Sequence, residues 1–399
     1  MTAVETKKLF HEKHSYLYVV VIIGFALLCA LGIWFTWQET VQAWEEASLS
    51  TFDSRLSVQL FERNGYTLAF AQEKKLKPKK REVKAVYLTA YSAGSSRTMG
   101  RIIKLIDETE LNAVMIDIKD YSGLVLYDSN LLWVNEFKTE DNRLGDVKAL
   151  VKKFHDNNIY VIARQTVFQD PILAKKKPEW AIHSKTGGLW RDNKGLAWVD
   201  PTRKEIWNYN VAIAREAIRL GFDEINFDYV RFPSDGNMSN VVYTNGEKEK
   251  YEVMHDFYHY LNMRLSGESA WISLDMFGFV MERHDGMNIG QRLEDAVDEV
   301  DYICPMMYPS HYPAGHLGLA NPADYPAQIF DNGLKKGLEY FTGHRAEVRP
   351  WLQAFDLGSN YRDGAKIREQ IETIEKYTEA GWLIWDASNR YTSAGLKVE

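Results

Sequence analysis

Hydrophobic and polar positions follow three different rhythms along the 399-residue chain. Tyr16 to Trp37 is predominantly apolar and carries no charge, and about 22 such residues are long enough to span a bilayer as one helix. Residues 38–82 change to a spaced pattern in which Val41, Trp44, Leu49, Phe52, Leu56, Leu60 and Phe61 recur at roughly helical intervals, so a helical or extended stalk is expected. From Val83 onward, short β-rich runs alternate with helical segments, the pattern of a parallel sheet.

The strands this pattern predicts are Val83–Tyr91, Asn112–Lys119, Ile159–Phe168, Glu224–Phe232, Trp271–Phe277, Asp301–Tyr308, Val348–Phe355 and Gly381–Ala387. Helices are expected near 99–108, 146–157, 247–265, 289–297, 325–341 and 365–380. A further one runs to Leu220 from an N-cap at Asp200 with Pro201 at its first position. Gly221 and Gly381 stand where helices should end. An open doubly wound sheet shows the same alternation. Eight units, with no Gly-rich nucleotide loop after the first strand, favour a closed (β/α)₈ TIM-type barrel over residues 83–399.

Charge sets the orientation of the apolar segment. Lys7, Lys8 and Lys13 precede it, whereas Glu39, Glu45 and Glu46 follow it. The positive-inside rule puts residues 1–15 in the cytoplasm and everything after Trp37 outside, on an anchor at 16–37. A cleavable signal peptide fits less well, since its apolar core is shorter and no small-residue cleavage site follows. The basic run Lys74, Lys75, Lys77, Lys79, Lys80 and Arg81 reads as a solvated linker, with grip on an anionic polymer as the sharper alternative. A net charge of −7 excludes a general nucleic-acid binder. Cys29 lies in the apolar segment and Cys304 in a distant strand, so no disulfide framework is expected.

Barrel enzymes gather their chemistry at the C-terminal ends of the strands, and here those ends are polar. Asp117 and Lys119 lie on strand two, Arg164 on strand three, and Asn226, Asp228 and Arg231 on strand four. Asp275 is on strand five, Tyr308 ends strand six, Gln353 is on strand seven and Asp386 on strand eight. Alternation puts Asn226 with Asp228, and Asp117 with Lys119, on common faces. A single buried Asp is easily structural, but four on one closed ring point to convergent carboxylates, which glycoside hydrolysis requires. Asp228 is the candidate ionised member, held charged by Arg164 or Arg231, and Asp275 the candidate acid. Asp117, Lys119, Arg164, Asn226, Arg231, Tyr308, Gln353 and Asp386 would bind sugar hydroxyls or orient the pair. Trp190, with Trp198, would offer a stacking platform from the long segment after strand three.

Three motifs, VYLTAYSAG (Val86–Gly94), TELNAVMIDIKD (Thr109–Asp120) and GFDEINFDYVRFP (Gly221–Pro233), resemble a bacterial glycosyl hydrolase domain family related to the α-amylase-like barrels. The similarity covers residues 83 to about 395. It implies a nucleophilic Asp at the end of strand four, matching Asp228, and a general acid at the end of strand five. The relatives carry Glu there and this chain carries Asp275, one methylene shorter, so Glu282 in the following loop is a second candidate acid.

Other readings make different demands. A metal-dependent hydrolase needs clustered ligands, but the histidines are scattered, and the pair His255 and His259 reads as a solvated helical face. No metal or other cofactor is therefore expected. A phosphate-binding barrel is disfavoured because no Gly-rich run follows strand seven. A non-catalytic polysaccharide-binding barrel of the cell envelope has no need of acid–base pairs, and a transglycosylase would share the same carboxylates. The expectation is a membrane-anchored, extracytoplasmic glycoside hydrolase acting on a carbohydrate.

Overall fold

The computed structural model describes residues 56–63, 66–73 and 76–398. The anchor expected at Tyr16–Trp37 lies outside them, and among the described residues no helix is long and apolar enough to cross a membrane. In the last part of the expected helical or extended stalk the chain is β-structure. Leu56–Arg63 pairs antiparallel with Tyr66–Glu73, from Leu56 opposite Glu73 to Arg63 opposite Tyr66. Leu56, Val58 and Leu60 alternate with Ser57 and Gln59, and Asn64–Gly65 is a favoured two-residue hairpin sequence, so a period of two outweighs the helical spacing.

Residues 75–399 form a separate compact unit. Its eight parallel strands are β1 (Val83–Leu88), β2 (Ala113–Lys119), β3 (Tyr160–Thr166), β4 (Glu224–Asp228), β5 (Trp271–Phe277), β6 (Tyr302–Met306), β7 (Trp351–Gln353) and β8 (Gly381–Trp385). Each pairs with the next and β8 pairs with β1, so the sheet closes into a TIM-type barrel. Around it lie α1 (Ser96–Asp107), α2 (Val147–His155), α3 (Lys204–Leu220), α4 (Lys250–Leu265), α5 (Pro326–Gly337) and α6 (Ala365–Ile374).

Several boundaries differ from the sequence pattern for identifiable reasons. The seventh strand is interrupted, because Pro350 has no N–H to give a ladder, and Glu347–Val348 and Trp351 pair with β6 separately. The helix expected at 289–297 is a loop with short turns. Met287, Asn288 and Gly290 are all left-handed there, which breaks any helical start. Helix α3 begins at Lys204, since Asp200 is used in a turn, accepting from the Thr202 amide and hydroxyl. Gly221 ends α3 in the left-handed conformation as expected, whereas Gly381 opens β8, where a Cβ would strike the Val83 backbone.

Two apolar layers hold the barrel. Inside it, Ala85, Met115, Ile162, Cys304 and Leu383 pack together, while Val86, Val114, Val161, Ile225 and Ile384 face the helices. Towards the N-terminal end of the strands, Arg349 pairs with Glu224 at 2.8 Å, both completely buried, beneath the Tyr302 ring. Part of the basic run folds back on this end. Lys77 reaches Asp301 at 2.9 Å, Lys80 pairs with Glu347, and the Pro78 carbonyl accepts from the Trp271 indole.

Candidate active site

The inner face at the C-terminal ends of β2, β3, β4 and β5 is built around one guanidinium. Arg164 donates through Nη1 to Asp117 at 2.6 Å and through Nη2 to Asp228, and its Nε lies 3.5 Å from Asp275 Oδ2. Three carboxylates on three strands thus converge on one cation, all four side chains buried. The pairing is a matter of register, because Asp117 and Asn226 both stand opposite Arg164 across the ladder. Asp228 is one pleat further along the same face of β4, with one carboxylate oxygen accepting from the Tyr229 amide. Tyr229 has φ +54°, a left-handed conformation uncommon for an aromatic side chain, so the chain turns sharply just after Asp228.

Asp275 sits in a different surround. Its Oδ1 accepts from the Trp351 indole at 2.7 Å and from Asn226 Nδ2 at 2.9 Å. Burial, and then the charge of Asp228, push its pKa up to about 8, against the pull of Arg164 and the two donors. Burial raises Asp117 as well, opposed by Arg164 and by the hydroxyl of Tyr87, which donates to it. Arg164 stays protonated, with Asp228 the strongest of the charges holding it so. Buried Arg164 Nε and Asn226 Oδ1 have no hydrogen-bond partner among the described residues, leaving a donor and an acceptor available to a ligand.

Of the residues chosen from sequence, Asp117, Arg164, Asn226, Asp228 and Asp275 come together. Tyr308 joins them from the end of β6, its hydroxyl pKa raised by burial and then by Asp275 and Asp228. Lys119 does not. A bulge between Asp117 and Lys119 shifts the register, so that Lys119 stands opposite Gln165, whose side chain bonds Asn210 on α3. Lys119 is therefore on the outer face, fully buried, 2.8 Å from Asp170 and donating to the Thr166 carbonyl. The expected common face of Asp117 and Lys119 is overturned.

Arg231 also turns away. Its guanidinium lies against the rings of Trp198, Tyr229 and Phe277 and donates to the Phe232 carbonyl, leaving Arg164 as the direct partner of Asp228. Gln353 ties loops together, accepting from the Ser310 amide and donating to the Phe355 carbonyl. Asp386 caps the loop after β8, accepting from the Ser388 amide and hydroxyl and from the Arg390 amide. Trp190 and Trp198 are each only 2% exposed, with indoles bonded to the Asn237 carbonyl and to Asp192, so neither presents a free ring face. Glu282 pairs with His316 at 3.3 Å and lies 3.6 Å from Lys336 on α5, apart from the carboxylate cluster.

Three aromatic residues of the site escaped the sequence reading. Trp385 stacks on Tyr87 with centroids 4.0 Å apart, its ring 5.2 Å from the Arg164 guanidinium, and it keeps a partly exposed surface at the mouth. Trp351 holds Asp275. The signal was alternation, since Trp385 shares the inner face of β8 with Leu383, and Trp351 that of β7 with Gln353.

A family model described as "Putative glycosyl hydrolase domain" matches residues 85–391. A hypothetical protein from Ruminiclostridium thermocellum ATCC 27405 is 43% identical, over 48% of this chain and 96% of its own, with a TM-score of 0.45. The PgaB (BpsB) glycoside hydrolase domain from Bordetella bronchiseptica is 14% identical, over 77% of this chain and 95% of its own, with a TM-score of 0.56. The α-galactosidase TtGalA from Thermus thermophilus, solved with stachyose, is 12% identical, over 80% and 65% respectively, with a TM-score of 0.51. At these identities the last two show a shared barrel fold. Among curated proteins none matches.

Proposed function

The chain belongs to the glycosyl hydrolase domain family, a glycoside hydrolase by class, and from that premise we propose that it cleaves glycosidic bonds with Asp228 and Asp275 as its reacting pair. One observation carries this reading. Asp228 and Asp275 share the Arg164 guanidinium with Asp117, and of this pair Asp275 is the one wrapped in indole, amide and apolar surface that favours its neutral form. A neutral carboxyl beside one held by a cation is the division of labour that the reaction needs.

In this mechanism Asp275 donates its proton to the leaving oxygen, and Asp228, bonded to Arg164, attacks the anomeric carbon. The glycosyl–enzyme bond is then hydrolysed by water that Asp275, now ionised, deprotonates. Arg164 Nε and Nη2 form one edge of the guanidinium, so Asp275 and Asp228 lie at the same edge. That favours the close spacing of a retaining pair, roughly 5 Å, over the wider gap that admits a water directly. Trp385 supplies the apolar face for a sugar ring and Asn226 Oδ1 an acceptor for a hydroxyl.

The remaining features come from sequence. The uncharged segment 16–37, with lysines before it and glutamates after, supports a single-pass anchor that places the barrel outside the cytoplasm. A carbohydrate of the envelope, or one passing it, is the substrate class that this location suggests. Proton NMR of the first-formed product tests the chemistry: release with retained anomeric configuration is expected, and inverted product contradicts Asp228 as nucleophile.

A further inference from the structure

Outside the barrel wall, behind β1 and β8, lies a cavity of about 290 Å³. Its floor is apolar, built from Val86, Ile367, Ile384 and Leu396, and three arginines, Arg101, Arg362 and Arg390, line it. Among the described residues no carboxylate lines it. Arg101 is set in place by donating Nη2 to the Asn389 carbonyl at 3.1 Å, which leaves most of its guanidinium donors open. Arg362 meets Asp356 at 3.0 Å, but that pair is about half exposed and therefore weak. Among the described residues Arg101 and Arg390 make no ion pair.

Arg101, Arg362 and Arg390 are each exposed, so their free donors are open to an entering anion above the apolar floor. Guanidinium is the side chain suited to bidentate binding of phosphate or carboxylate oxygens, and an apolar floor favours a ligand with an apolar body. The cavity is walled by the segments after β7 and β8, the quarter in which barrel enzymes frequently hold phosphate. A glycine-rich backbone cradle is absent from the sequence after strand seven, and the arginines supply the positive charge in its place.

We propose that this cavity is a second binding site, separate from the carboxylate cluster, for an organic phosphate that carries an apolar group. It faces the helix layer, since Val86 and Ile384 pack outward while Tyr87 and Trp385 pack inward, so the barrel wall stands between the two sites. Tyr391 lies in that wall. It lines the cavity, and its hydroxyl donates to the Tyr87 carbonyl at 2.8 Å and accepts from the Asp386 amide.

Titration calorimetry on the full chain tests this with 1-naphthyl phosphate, 1-naphthol and inorganic phosphate as probes. Naphthyl phosphate should bind more tightly than either of the others. Arg101→Gln and Arg390→Gln should each weaken it about tenfold, the loss of one charge-assisted hydrogen bond. Arg143→Gln, an exposed arginine that does not line the cavity, should not. All three variants should keep the thermal midpoint and glycosidase activity of the parent chain. Absence of naphthyl phosphate binding, or equal binding by the cavity variants, overturns the proposal. Naphthol binding as tightly removes the role of the arginines, and inorganic phosphate binding as tightly removes that of the apolar floor.

Discussion

Asp275 is a carboxyl whose surroundings penalise its charge, and this links the site to stability. Its pKa lies near 8 in the folded protein against about 3.9 in an unfolded chain. Between those values the folded state binds the extra proton, so stability falls as pH rises through this window. Asp275→Asn keeps the shape of the neutral acid and removes the penalty. The variant should therefore melt above the parent chain at pH 7 and 8 and converge with it below pH 4, while losing activity. A scan of melting temperature against pH checks both halves of this statement. Arg164 shows the opposite dependence on a neighbour. Arg164→Leu leaves Asp117 and Asp228 buried without their cation and should cost about 3–5 kcal/mol in urea unfolding. A loss under 1 kcal/mol would mean that water already screens the cluster.

Strands and loops show how far the sequence could be read. Alternation found Asp117, Asn226, Asp228 and Asp275 because each lies on an unbroken run of its strand. It misplaced Lys119 because a bulge, invisible in the pattern, turns the strand over between Asp117 and Lys119. It favoured Trp190 over Trp385, whereas the loop after β3 packs against the loop after β4 through Trp190 and Asn237. Trp385→Ala should raise KM about tenfold by removing the partly exposed ring beside Arg164. Trp190→Phe should leave KM unchanged and cost only about 1 kcal/mol through its lost hydrogen bond. Steady-state kinetics on the two variants separates them, and the reverse ranking would return the platform to the loop.

At the scale of the whole molecule, the repeat of β-rich and helical segments was legible because each strand must bury both faces, which leaves near-continuous apolar runs. The start of the barrel unit was less legible. Lys77, Pro78 and Lys80 read as linker, yet they bond to Asp301, Trp271 and Glu347 at the N-terminal end of the barrel. A fragment beginning at residue 83 should therefore melt several degrees below one beginning at residue 75, given about 1–2 kcal/mol for the lost contacts. Equal melting temperatures would make those bonds incidental. The central claim concerns Asp228, and its most direct test is release of reducing ends from a panel of envelope and storage glycans, with Asp228→Asn beside the parent chain. Cleavage by the parent and a loss of at least about 1,000-fold in the folded variant are expected. A glycan bound equally by both forms and cleaved by neither would contradict it, and would make the barrel a binding module.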